Sequence, residues 1–169
     1  MSTPRIAIIS PNRNAYSETF IAAHIARLQA VELVLTDGHL PKRTATGEPL
    51  LSEALWQRVR RKVSGTSFEQ ALSARVAKLL KAHRINVVLA EYGPTGEAMW
   101  PICERMGLPL VVHFHGIDAF HVKLLADNKG YARTLPNAAA LVVVSHEMEE
   151  QLLELGAPRD RLHYVRYGV

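Results

Sequence analysis

Cysteine occurs once in the sequence, at position 103, so no internal disulfide can form, which fits a reducing cytoplasm. No apolar stretch approaches the roughly 20 residues that a membrane-spanning helix needs. The first apolar run, Ile6 to Ile9, is too short and too weakly charged upstream to act as a signal peptide. No strand-to-helix turn carries G-x-G-x-x-G or G-x-x-x-x-G-K-[ST], which removes most of the support for a dinucleotide or P-loop site. G-x-S-x-G is missing too, and the side chains of adjacent Ser145 and His146 diverge at a helix start, so serine hydrolysis has little basis. The chain holds no internal repeat and no low-complexity tract.

What is present is an ordinary globular composition, 48% hydrophobic and 21% charged over 169 residues, enough for one domain, residues 1–169, with its own core. A soluble, cytoplasmic protein is expected, with a peripheral place at the inner face of a membrane as a variant. Net charge is +4, unevenly spread. Lys42, Arg43, Arg58, Arg60, Arg61 and Lys62 stand against only Glu48 and Glu53 between Pro41 and Lys62. Such a cluster can attract phosphate, anionic lipid or nucleic acid, but a solvated face explains it more simply, and no nucleic-acid partner is expected. Leu55, Trp56, Val59 and Val63 share a helical face flanked by those arginines. That gives two readings: an interfacial helix touching anionic membrane through Trp56, Arg58, Arg60, Arg61 and Lys62, or an ordinary surface helix that buries Trp56.

Strand and helix signals alternate. Apolar runs at Arg5–Ser10, Val31–Thr36, Ile85–Ala90, Leu108–Phe114 and Ala140–Val144 read as strands, and His163 begins a last one that runs into a turn. Between them, Ser17 is placed to cap a first helix. Ser67 and Gln70 form a capping box for a helix running to about His83, Thr95 or Gly96 starts the next, and Ser145 caps another that Gly156 closes. Polar Lys42–Pro49 reads as the flexible loop. The pattern specifies an α/β, Rossmann-like, doubly wound and mainly parallel sheet flanked by helices. In such sheets ligands sit beyond the carboxyl ends of the strands, which directs attention to Pro11–Tyr16, Glu91–Glu97, His115–Val122 and Ser145–Glu147.

The densest polar cluster is His113-Phe114-His115-Gly116-Ile117-Asp118. Strand alternation puts His113 and His115 on one face, Gly116 lets the backbone turn or approach a ligand, and Asp118 is placed to orient an imidazole or a hydroxyl. Three readings compete: a substrate-binding histidine at the strand tip, a histidine satisfied in the core, and a metal site of His113, His115 and Asp118. The first is preferred and the metal comes last. Gly93, Thr95 and Gly96 bring backbone N–H groups to a helix start, where a phosphate or sugar hydroxyl would fit. A plain helix start capped by Thr95 is the simpler reading.

Taken in order, Ser17-Glu18-Thr19-Phe20-Ile21, Val111-Val112-His113-Phe114-His115-Gly116-Ile117-Asp118, Ala140 through Glu147, and Leu162 through Val169 resemble the N-terminal half of the GT-B glycosyltransferases, in particular the retaining group called family four. The Ser-Glu-Thr-Phe variant is similar to a polysaccharide-synthesis subset. Two departures are visible: the first loop, Ser10 to Tyr16, is not glycine-rich, and Arg166-Tyr167 stands where the family has Pro-Asn before Gly168-Val169. The resemblance implies an acceptor-side domain whose donor-binding partner domain is absent from this chain. It implies transfer from a nucleotide-sugar donor to a saccharide or lipid-linked acceptor, without a metal or other cofactor, and a fragment that is inactive alone. It makes His115 the catalytic histidine. Ser17 and Glu18 would face the cleft, Gly93, Thr95 and Gly96 would line the acceptor side, and His113, Gly116, Asp118, Ser145 and Glu147 would complete the substrate side. The rival readings are a stand-alone small-ligand or protein-binding module without catalysis and a metal hydrolase.

Overall fold

Ile6–Ile9, bounded by Pro4 and Pro11, forms β1 and becomes the pivot of the sheet. The computed structural model describes residues 3–12, 19–62 and 65–166, with the backbone alone over 59–62. β1 pairs in parallel with both β2 (Val31–Thr36) and β4 (Val87–Glu91). From β1 the chain therefore runs outward to β2 and β3 (Arg43–Thr44), then returns past β1 to β4. It continues through β5 (Leu110–His113), β6 (Ala140–Val143) and β7 (Leu162–Tyr164). Among the described residues the seven-stranded order is β3-β2-β1-β4-β5-β6-β7, and of these strand pairs only β2–β3 is antiparallel. The reversal between β1 and β4 is the switch point at which loops diverge and a crevice opens.

The helices are α1 (Thr19–Arg27), α2 (Glu53–Lys62), α3 (Phe68–Ala82), α4 (Gly93–Met106), α5 (Ile117–Phe120), α6 (Val122–Asp127) and α7 (His146–Glu154). Local chemistry sets their ends. Ser67 Oγ accepts from the Gln70 amide at 3.1 Å while Gln70 Oε1 accepts from the Ser67 amide at 2.9 Å, the reciprocal cap of α3. Ser145 Oγ accepts from the Met148 amide at 3.1 Å to cap α7, and Gly107, at φ 63°, closes α4 in the left-handed conformation. Ala7, Ile8 and Ile9 of β1 with Val88, Ala90 and Val112 form the fully buried centre. Burying one such aliphatic side chain contributes about 1.5–3 kcal/mol.

Two expectations change, and the two readings of the Trp56 helix narrow to one. Lys42–Pro49 is pinned: it supplies β3, pairs Leu35 with Thr44 and Thr36 with Arg43, and bridges Arg43 to Pro49. Arg43 donates to Asp37 Oδ2 at 3.1 Å and to the Gly47 carbonyl at 2.8 Å, so this cation is already engaged. α4 begins at Gly93, ahead of Thr95, because Pro94 fits the first helical turn and Tyr92 takes φ 75° before it. Trp56 is half-buried and packs edge-on to Phe68, with centroids 5.5 Å apart. The apolar anchor of the interfacial reading is thus turned onto the body of the domain. Arg58 is exposed, and the side chains of Arg60, Arg61 and Lys62 lie outside the described residues. No helix among the described residues is long and apolar enough to cross a membrane.

Cys103 is fully buried on α4, and burial pushes its thiol up to about 12. It should resist a thiol reagent such as DTNB in native buffer and react stoichiometrically in denaturant. Rapid labelling of the folded chain would show that α4 opens locally.

Candidate functional site

β4 ends on Glu91 and β5 on His113, and the parallel register sets these two residues side by side. Their side chains meet at the carboxyl edge, next to the switch point. The Glu91 carboxylate, completely buried, becomes the hub of three imidazoles. Its Oε1 lies 2.8 Å from His24 Nδ1, and its Oε2 lies 2.8 Å from His115 Nε2 and 3.6 Å from His113 Nδ1. The His113 and His115 rings sit 4.3 Å apart, and His24 approaches His113 at 5.0 Å. Phe20, one turn before His24 on α1, stacks on His115 at 4.4 Å, with Tyr92 4.5 Å from the same ring.

Electrostatics hold this arrangement. Burial alone would raise the Glu91 carboxyl, but the hydrogen bonds from His115 and His24, and the attraction of both rings, outweigh it and bring it down to about 2. Glu91 is therefore ionised and can only accept hydrogen bonds. His113 moves the other way from usual for a histidine beside a carboxylate. Burial, then repulsion from His115 and His24, lower it to about 3 despite the attraction of Glu91.

Strand alternation does bring His113 and His115 together, but His115 is placed differently from the expectation. Its side chain is only 3% exposed and lies beneath Phe20, not at the cleft surface. Asp118 is also fully buried and does not orient an imidazole. Its carboxylate accepts from the Gly93 amide at 2.8 Å and the His115 amide at 2.9 Å, while its carbonyl accepts from the Tyr131 hydroxyl at 2.7 Å. The trio of the least-favoured, metal reading, His113, His115 and Asp118, is not assembled among the described residues. Among the described residues it is His24, Glu91 and His113 whose ligand atoms lie within 4.8 Å of one another.

The Gly93–Gly96 turn also faces inward. The amides of Thr95 and Gly96 each donate to the Tyr92 carbonyl at 3.1 Å. A Cβ on Gly93 would stand 2.5 Å from Phe114, and one on Gly96 would stand 2.7 Å from Val112. These glycines let α4 lie close on β5, and the amides expected to meet a ligand are already paired. Thr95 caps nothing: its hydroxyl meets His39 Nδ1 at 3.1 Å. Gly116 takes φ 112° with open space around it, so it is there for the turn. Ser145 caps α7, and Glu147 is exposed on that helix's first turn. Ser17 and Glu18 lie outside the described residues.

Two members of the hub were not singled out from the sequence. Glu91 carried a signal, a carboxylate at the carboxyl end of an apolar strand, and His24 follows Phe20 at helical spacing. A cavity of about 510 Å³ opens over them between α1 and the segment after β7, walled by Phe20, His24, Arg27, His113, Val165 and Arg166. A larger one, 690 Å³, lies between α3 and α4, away from the strand ends, and holds no comparable cluster.

Residues 15–168 match the family described as glycosyl transferase 4-like domain. The chain belongs to that family. As a glycosyl transferase 4-like domain it has the GT-B type of Rossmann-like sheet, a fold it shares with two solved sugar-nucleotide enzymes. UDP-N-acetylglucosamine 2-epimerase from Rickettsia bellii superposes with a TM-score of 0.55 at 9% identity, over 95% of this chain and 44% of that one. UDP-GlcNAc 2-epimerase from Methanocaldococcus jannaschii superposes with a TM-score of 0.57 at 11% identity, over 95% and 45%. At such identities the likeness is one of fold, and the domain spans less than half of either enzyme. Comparison with curated proteins by sequence gives no match.

Proposed function

We propose that this domain forms the acceptor side of a retaining, metal-independent glycosyltransferase of polysaccharide-synthesis type. The enzyme would move a sugar from a nucleotide-sugar donor to a saccharide or lipid-linked acceptor, and a further domain would hold most of the donor. The observation that carries this reading is the family match over residues 15–168 combined with an imidazole–carboxylate hub at the switch point. His115 keeps the role the resemblance implies, with Glu91 holding its Nε2 and Phe20 covering the ring. Its reach to a sugar requires Phe20 to swing aside. Gly116 and Asp118 shape the turn that carries it, and Ser145 and Glu147 belong to the cleft rim.

The test is sugar transfer by the gene product that carries this chain, with UDP- and GDP-sugars and a panel of saccharide acceptors, products read by mass spectrometry. Transfer with retained anomeric configuration, lost in His115→Ala when normalised per folded molecule, is expected. Normalisation matters because the ring is buried and its removal costs stability too. The 169-residue chain alone should bind nucleotide-sugars weakly in calorimetry. A sub-micromolar constant, about −8 kcal/mol or tighter, would place the donor on this domain and overturn the division of labour.

A further inference from the structure

Of the three imidazoles around Glu91, His24 is the most exposed. Its side chain is 24% accessible, against 6% for His113 and 3% for His115. Nδ1 points inward to Glu91 Oε1 at 2.8 Å, while the ring borders the 510 Å³ cavity. We propose that Glu91 and His24 form a carboxylate–imidazole pair whose outward Nε2 accepts a hydrogen bond from a hydroxyl of the saccharide acceptor. His24 is then a substrate-contacting residue, and Glu91 its positioning residue. The inference rests on the glycosyltransferase reading and adds to it a site residue on α1.

The pair follows from donor and acceptor accounting. An ionised carboxylate has no proton to give, so the His24 nitrogen facing it carries one. In its neutral form the ring, protonated at Nδ1, leaves a lone pair on Nε2, and the buried carboxylate behind the ring fixes both tautomer and orientation. The cavity wall completes a sugar site by chemistry. Phe20 offers an apolar ring, and Arg27, one turn beyond His24, and Arg166 offer donors to further hydroxyls. Among the described residues, no acidic side chain lines that wall. A metal is the competing use of the same atoms. Zinc ligands at about 2.0–2.1 Å stand roughly 3.4 Å from one another in a tetrahedron, and the ligand atoms of His24, Glu91 and His113 lie within 4.8 Å of one another, so elemental analysis separates the two uses.

His24→Asn separates contact from scaffolding, since its amide can still donate to Glu91 but has nothing at the Nε2 position. In the transfer assay this variant should keep a melting temperature near wild type, leave the donor KM unchanged, and lose about tenfold or more in kcat/KM for the acceptor. Wild-type transfer rates in His24→Asn would overturn the pair while leaving the glycosyltransferase reading intact. If the wild type transfers nothing, that reading falls, and nitrogen-15 NMR of the imidazoles in the 169-residue chain still decides the pair. An Nδ1–H tautomer at His24, with an Nε2 resonance that moves on adding methyl glucoside, methyl mannoside or methyl galactoside, supports it. An Nε2–H tautomer, or an Nε2 resonance indifferent to all three, overturns it. Stoichiometric zinc by elemental analysis, lost in His24→Asn, overturns it in favour of a metal centre.

Discussion

Asp118→Ala should cost the folded chain on the order of 4 kcal/mol, a large part of the roughly 5–15 kcal/mol that holds a domain together. The carboxylate is completely buried and is the acceptor for the Gly93 and His115 amides. Removing it strands one buried and one part-buried donor at about 1–3 kcal/mol each and opens a hole beside Tyr131. The effect reaches beyond the loop, because the two bonds clamp the start of α4 to the turn that carries His115. Asp118→Asn should lose less, since its amide oxygen serves one donor while its NH₂ opposes the other. Urea midpoints, with m-values checked for constancy, would order wild type, Asn and Ala in that sequence. A loss below about 1 kcal/mol for alanine would mean that the stranded amides find water or another acceptor.

Acid should unfold the chain early, in two overlapping steps that both belong to the hub. An unfolded His113 takes a proton near 6.5, whereas burial and repulsion from its neighbours delay that event to about 3 in the folded chain. Between those values the unfolded state binds more protons, so stability falls as pH drops, by up to about 1.4 kcal/mol per pH unit. His39, lowered by burial, adds to the upper part of this limb. Glu91 acts below: its carboxyl is depressed from 4.5 to about 2, so its contribution is intact above 4.5 and fades as pH falls toward 2. Asp118, raised from 3.8 by burial, works in the opposite sense above that value. Urea midpoints should hold steady above pH 6.5 and decline below it. His113→Gln should flatten the decline between 6.5 and 4.5, and Glu91→Gln should alter only the lower part. A wild-type profile level through pH 4.5 would show that His113 protonates in the fold at little cost.

Elements set by neighbouring residues were legible. The capping box at Ser67 and the serine cap at 145 each depend on a few adjacent groups, and apolar runs of β-branched residues declare a parallel sheet. β3 was not legible, because its two residues become a strand only through Leu35 and Thr36 on β2. The start of α4 misled because Gly-Pro reads as a break, whereas proline is well placed in a first helical turn. The site divides the same way. His113 and His115 share a face by alternation alone. Glu91 joins them only because β4 lies beside β5 in one register, and His24 only because α1 docks over both. Asp118 seemed destined for a neighbouring imidazole, but its partners are backbone amides, one of them 25 residues earlier in the chain.

The margins of the sheet are stubs. β3 contributes two residues on one side and β7 three on the other, while the longer strands β1, β2 and β4 lie inside. An exposed strand edge is a row of unpaired N–H and C=O groups that can recruit a strand from another copy, and the hazard grows with its length. Here the inner strands carry the apolar, β-branched stretches that would be dangerous at a margin. β1 and β4 are shielded on both sides, and β2 is covered on its outer side at Leu35 and Thr36, so folding itself hides the central apolar stretches from edge-to-edge pairing.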